Sequence, residues 1–241
     1  MMKTLLWRGM LAGLIGACVA ATFALLFAEP QIDAAVALEA HRAAQAMPAG
    51  DELVSRATQK TWGLYTALGL YGTALGGLLA IVFAGLYGRV ARLGPRSLAL
   101  LLALAAFVVI VLVPAIKYPP TPPAVGLHDT VRLRTAAYVA MLALSVAAAT
   151  LGLWSFRRLA GRIAALDRLL IAVGIYVGAV ALGQALLPMV DEVPADFPAT
   201  LLWQFRLASL GTQAVFWLVT ADLFGRAAER LMTGGRAEVV R

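Results

Sequence analysis

Cysteine occurs once in this chain of 241 residues, at Cys18, histidine twice, at His41 and His128, and lysine at only three positions, Lys3, Lys60 and Lys117. Each scarcity removes a class of chemistry. A lone cysteine allows no internal disulfide and no membrane thiol–disulfide enzyme, which needs a pair. No histidine falls in a long apolar run, so bis-histidine haem ligation and an intramembrane Ser–His protease are out. No lysine sits in a G-x-x-x-x-G-K-[ST] loop, so ATP is not hydrolysed by that route. No Cys/His cluster has zinc spacing. Charge is scarce too, at 14% of residues against 61% hydrophobic, and the mean hydropathy is +0.84. A soluble domain carries roughly a quarter charged residues, and a disordered chain needs the opposite balance; both are excluded. The net charge of +7 therefore reads as membrane-orientation charge, with no nucleic-acid partner expected.

What is present is a set of long apolar runs. About 20 apolar residues cross the hydrocarbon core as a helix, and six windows qualify, at about 5–28, 62–87, 97–116, 136–156, 169–187 and 200–224. The expected fold is all-α: a polytopic integral membrane protein of six transmembrane helices. The longest remaining segment, Glu29 to Thr61, has 33 residues, fewer than the roughly 50 of a small soluble domain. Residues 1–241 thus read as a single six-helix transmembrane domain. Ile15-Gly16-Ala17-Cys18 resembles a lipoprotein cleavage box. However, the apolar run continues to Ala28, longer than the 7–15 residues of a signal core, so this segment reads as a true span. Gly9-x-x-x-Gly13, Gly72-x-x-x-Gly76 and Gly174-x-x-x-Gly178 allow close helix approach.

The connections alternate in charge. The N-terminal flank, the second and fourth connections and the C-terminal tail hold 13 positive charges and three acids. The first, third and fifth connections hold six positive charges and nine acids. By the positive-inside rule both termini are cytoplasmic, and the expected location is the inner membrane. Ten of the eleven prolines lie at outer span ends or in outer connections. Proline lacks an N–H and disfavours helix before itself, so the outer rim is built from broken or capped helix ends. Transporters place binding sites at such breaks.

Candidate site residues follow from that rim. Arg206 lies about six residues into its span, roughly 9 Å below the helix start; a charge there is costly and usually paired. The carboxylates expected at similar depth are Glu29, Asp191 and Glu192. His128 beside Asp129 is the only His–carboxylate pair. Arg56, Gln59 and Gly63 fall at i, i+3 and i+7 and share a face if that segment is helical. His41 reads as a surface residue and Asp222 as interfacial.

Glu29-Pro30, Arg56-x-x-Gln59, the run Lys117-Tyr118-Pro119 to Gly126 with Arg134-Thr135, the segment Leu187-Pro188 to Pro198, and Leu202-Trp203 with Phe205-Arg206 resemble the CbtA family over nearly the whole chain. The chain departs from that family's pattern at Thr121, where Asn is usual, and at Leu127-His128-Asp129. The resemblance implies a cobalt transporter subunit linked to cobalamin synthesis. It implies a small one-span CbtB-type partner with a histidine-bearing tail, beside the surrounding lipid, and it leaves homo-oligomerisation open. Cobalt(II) would be cargo rather than a resident cofactor, with nickel its close neighbour in affinity. On this reading the chain is not an enzyme. Glu29, His128, Asp129, Asp191 and Glu192 are the candidate metal ligands, and Arg206, Lys117, Arg56 and Gln59 the charge-balancing or gating groups. The rival classes are a membrane scaffold or accessory subunit, which would tolerate loss of the carboxylates, and a membrane enzyme on a lipid-like substrate, which would turn over without metal flux.

Overall fold

The computed structural model describes residues 2–44, 55–89, 93–126 and 129–237. They form helices α1 (Met2–Phe27), α2 (Glu29–Ala44), α3 (Arg56–Leu86), α4 (Pro95–Lys117), α5 (Val131–Arg158), α6 (Ala165–Leu186) and α7 (Ala199–Ala237), with no strand among the described residues. All except α2 are long and apolar enough to cross a membrane, so this is a multi-pass membrane protein with the six expected spans. The seventh helix, α2, occupies what the sequence reads as plain connection.

Apolar side chains face outward along most of these helices, as lipid requires. Trp7, Trp62, Trp154 and Trp203 are exposed, each within about two turns of a span end. That is the position of the aromatic belts at the membrane–water interface. Trp217 is the exception and is buried.

The described chain divides into two compact units. The first comprises Met1–Phe107, Pro122–Ala124 and Pro198–Arg241. Its centre is a backbone-to-backbone contact between α1 and α3. A Cβ at Gly13 would land on the Gly72 carbonyl, and one at Gly76 on the Gly9 carbonyl, so two of the three Gly-x-x-x-Gly motifs interlock. The adjoining strip of α1 meets α7, where a Cβ at Gly16 would strike Thr220 and one at Gly211 would lie 2.9 Å from the Phe23 ring. Small residues are required because van der Waals packing between backbones, rather than the hydrophobic effect, holds helices together in lipid. At one end of the unit, Leu5, Leu79, Phe83, Leu98, Phe224 and Ala228 form a core. Phe83 meets Phe224 edge to face at 5.2 Å. The same end carries a charged fork: Arg96 donates from Nε and Nη2 to Asp222 at 2.8 and 2.6 Å, and Arg226 donates to its other oxygen at 2.8 Å. Asp222 is thus held by two guanidinium groups within its span.

The second unit comprises Val108–Thr121 and Val125–Phe197. Here α5 and α6 pack through Gly152, where a Cβ would lie 2.9 Å from the Ala172 carbonyl, and through Gly183, where it would meet Leu144. Val113, Tyr118, Ala137 and Met141 form its core. The third motif, Gly174-x-x-x-Gly178, has open space in front of both glycines.

Within α4, Phe107–Leu112 is π-helical, and Pro114 explains the fault. Its ring clashes with the carbonyl four residues back, and it offers no N–H. Ile110 and Val109, four and five residues earlier, therefore lose a donor in the α and π registers respectively. Ser145, fully buried on α5, donates to the Val109 carbonyl at 2.8 Å, and its Oγ is 3.0 Å from the Tyr176 hydroxyl. Ser145→Ala should cost about 1–2 kcal/mol by stranding a buried acceptor, and Tyr176→Phe less. Thermal unfolding in detergent checks both; equal midpoints for wild type and Ser145→Ala would remove the argument.

Candidate functional site

The break between α1 and α2 begins the site. Pro30 has no N–H for the Leu26 carbonyl, so α1 stops at Phe27 and a new helix starts at Glu29. Proline is tolerated in that first turn, and Glu29 there sits favourably at the helix N-terminus. Because the chain remains helical, Glu29 and Asp33 share a face one turn apart. On α3, Ser55 caps the helix start by accepting from the Thr58 N–H at 3.4 Å, which places Arg56 and Lys60 one turn apart in the same way.

These four residues form one network. Arg56 Nη2 donates to Glu29 Oε2, Arg56 Nε donates to Asp33 Oδ1 at 3.1 Å, and Lys60 Nζ donates to Asp33 Oδ2 at 3.1 Å. The Glu29 side chain is only 7% exposed, while that of Asp33 is 41% exposed. One guanidinium therefore bridges a buried carboxylate and a solvated one. The hydrogen bond from Lys60 holds the Asp33 carboxyl below the usual carboxylate range, against the opposing effect of burial, with the charges of Lys60 and Arg56 adding to the depression.

Glu29 is thus paired with Arg56 and not with Arg206 as its depth suggests. Depth along a helix does not give direction around it, and the continuation of α2 turns Glu29 toward α3. Arg206 is half-buried on α7, and its Nε is buried without a hydrogen-bond partner among the described residues. Gln59 opens a π-helical segment, Gln59–Gly63. Its wider turn alters the α-helical spacing on which the shared face of Arg56, Gln59 and Gly63 rests.

In the second unit, Glu192 is 7% exposed and accepts from Arg134 Nη1 at 2.7 Å. Gly126 makes room for the pair. Its φ is +113°, which side-chain-bearing residues rarely adopt, and a Cβ there would collide with Arg134 Nη1 and lie 3.1 Å from Glu192 Oε2. The proline-rich run thus ends on the one residue type that fits against the ion pair. Asp191 is exposed, its Oδ1 accepting from the Val193 N–H at 3.4 Å. Asp129 is exposed, and His128 lies outside the described residues. Lys117 donates to the Gln184 carbonyl in the last turn of α6. It serves there as a helix cap. Tyr118 donates to the Pro188 carbonyl at 2.7 Å, and burial pushes its phenol up. Lys117 and Tyr118 therefore tie the end of α4 to the Leu187-Pro188 corner.

Among the described residues no three His, Cys, Asp or Glu side chains group closely enough to hold a metal. Among the described residues of the first unit, the Glu29–Asp33 pair comes nearest to a cation site, with Arg56 and Lys60 supplying two positive charges against its two negative ones. Asp33 and Lys60 escaped the sequence reading, although their signal was there: complementary charges at i, i+4 on both sides of one connection.

The sequence model of the family described as "Probable cobalt transporter subunit (CbtA)" matches residues 2–229, nearly the whole chain. No match was found among curated proteins or solved structures.

Proposed function

This chain belongs to the CbtA family, and from that premise we propose that it is the membrane subunit of a cobalt uptake system supplying cobalamin synthesis, taking up the cation at the carboxylates of α2. The observation that supports this reading is the Arg56 bridge between Glu29 and Asp33. Cobalt(II) accepts carboxylate oxygen and imidazole, and a dication would carry the same charge as the Arg56 and Lys60 pair it displaces. The alternation of loop charge supports an inner-membrane topology with both termini cytoplasmic, in which this cluster faces outward. A rim rich in carboxylates raises the local concentration of a dication. By the alternation of loop charge alone, Asp191 and Glu192 on the fifth connection and His128 and Asp129 on the third belong to outer connections. Two carboxylates do not complete a coordination shell. A one-span CbtB-type partner with a histidine-bearing tail would supply the missing imidazoles, in keeping with the word "subunit" in the family description.

Radiolabelled cobalt uptake should be measured in cells carrying this chain alone, the presumed partner alone, and both, with nickel as competitor. Uptake should require this chain and fall to background in the Glu29→Gln/Asp33→Asn variant when membrane levels match wild type. Unchanged uptake in that variant would refute capture at this pair. Uptake independent of the chain would leave it a scaffold.

A further inference from the structure

One face of α7 carries a run of polar groups that the cation-capture reading does not use. Arg206 Nε, Gln213 Oε1, Trp217 Nε1 and Thr220 Oγ1 are all buried, and none has a hydrogen-bond partner among the described residues. Their positions are i, i+7, i+11 and i+14, which fall within a narrow sector of the helix. They extend over about 21 Å at 1.5 Å per residue. Thr220 is fully buried and Trp217 is 4% exposed, so membrane headgroups and bulk water do not reach them directly. Trp217 is also the one tryptophan of five that leaves the interfacial belts for the interior.

The two ends of this face differ. Toward Arg206 it approaches the α1–α2 break, where Ala24, Ala28 and Ala208 pack together with Leu64. Beyond Thr220 it runs into Phe224, fully buried and edge to face with Phe83, a dry aromatic plug. Donors and acceptors alternate in kind between these limits: a guanidinium N–H, an amide oxygen, an indole N–H and a hydroxyl. A buried polar atom left unpaired is costly. Native interiors meet that cost with protein partners or bound water, each water needing two to four polar neighbours.

We infer that a short file of bound water runs along this face of α7, entering at Arg206 and ending at the Phe83–Phe224 contact. One water accepting from Trp217 Nε1–H and donating to Gln213 Oε1 satisfies both. Another serves Thr220. The guanidinium at the mouth repels cations, so this is a hydrated pocket and not the metal's route. The inference does not depend on cobalt being the cargo.

Substituted-cysteine accessibility tests it on the full-length chain in membranes. In a Cys18→Ala background, Gln213→Cys and Thr220→Cys should react with a small anionic methanethiosulfonate at least tenfold faster than Ala214→Cys and Leu218→Cys, which lie on the exposed face of the same helix. Phe224→Cys should be inert. Because a variant can fail to insert, radiolytic hydroxyl labelling of the unmodified chain, read by mass spectrometry, supplies a second measurement. Trp217 should be oxidised despite its burial. Reaction at 213 and 220 no faster than at the two controls, or a wild-type Trp217 that stays unlabelled, would overturn the proposal and leave direct pairing of Gln213 with Trp217 in its place.

Discussion

Gly13→Val is expected to destabilise the protein by about 3 kcal/mol or more, the upper end of the cost of overpacking, and Gly76→Val to do the same. The added atoms would overlap backbone on the facing helix, and backbone cannot rotate away as a side-chain tip can. The helices would have to separate, opening the contact along Gly9, Gly13, Gly72 and Gly76 and disturbing the α7 packing beside it on α1. Gly174→Val and Gly178→Val, in an identical motif, should leave stability within about 1 kcal/mol, since open space faces both positions and valine is a slightly better helix former than glycine. The check is the monodisperse fraction and thermal midpoint of all four variants in one detergent. Similar loss in both pairs would mean that the third motif is also packed in the native assembly.

Removing Arg56 should be nearly as damaging for a different reason. Arg56→Gln leaves Glu29 ionised and buried, and breaking one side of a buried pair costs about 3–5 kcal/mol. The lower end applies because the guanidinium is partly exposed. Glu29→Gln should cost less, because Arg56 retains Asp33 and water. The double variant Glu29→Gln/Arg56→Gln should recover much of the loss, since a neutral pair carries no stranded charge. A double-mutant cycle on thermal or denaturant midpoints reads this directly. Additive losses would show that the two groups do not depend on each other.

The elements divide sharply by how they could be seen in advance. Spans are a property of composition, so all six apolar windows recur as helices, although α7 runs on from Phe224 to Ala237, where the sequence turns polar. The helix α2 is not visible that way: it is too polar to stand out from a connection, and its role is to align Glu29 with Asp33. The π-helical stretches are register faults, and only Pro114 marks one of them. Pairing was the least legible property. Composition and depth place Glu29, Glu192 and Arg206 near membrane boundaries, but the choice of Arg56 and Arg134 as partners depends on which way each helix face turns. That in turn depends on the break at Pro30 and the positive φ of Gly126, both long-range consequences of single residues.

The interlocked glycines also give weight to the stretch ahead of Cys18. Gly9, Gly13 and Gly16 all precede Cys18, the residue at which a lipoprotein-type peptidase would cut. Excision there would strip the bundle of the strip that seats Gly72, Gly76 and Thr220, and expose a bare groove to acyl chains. The leading hydrophobic segment therefore supplies one wall of the central packing of the first unit.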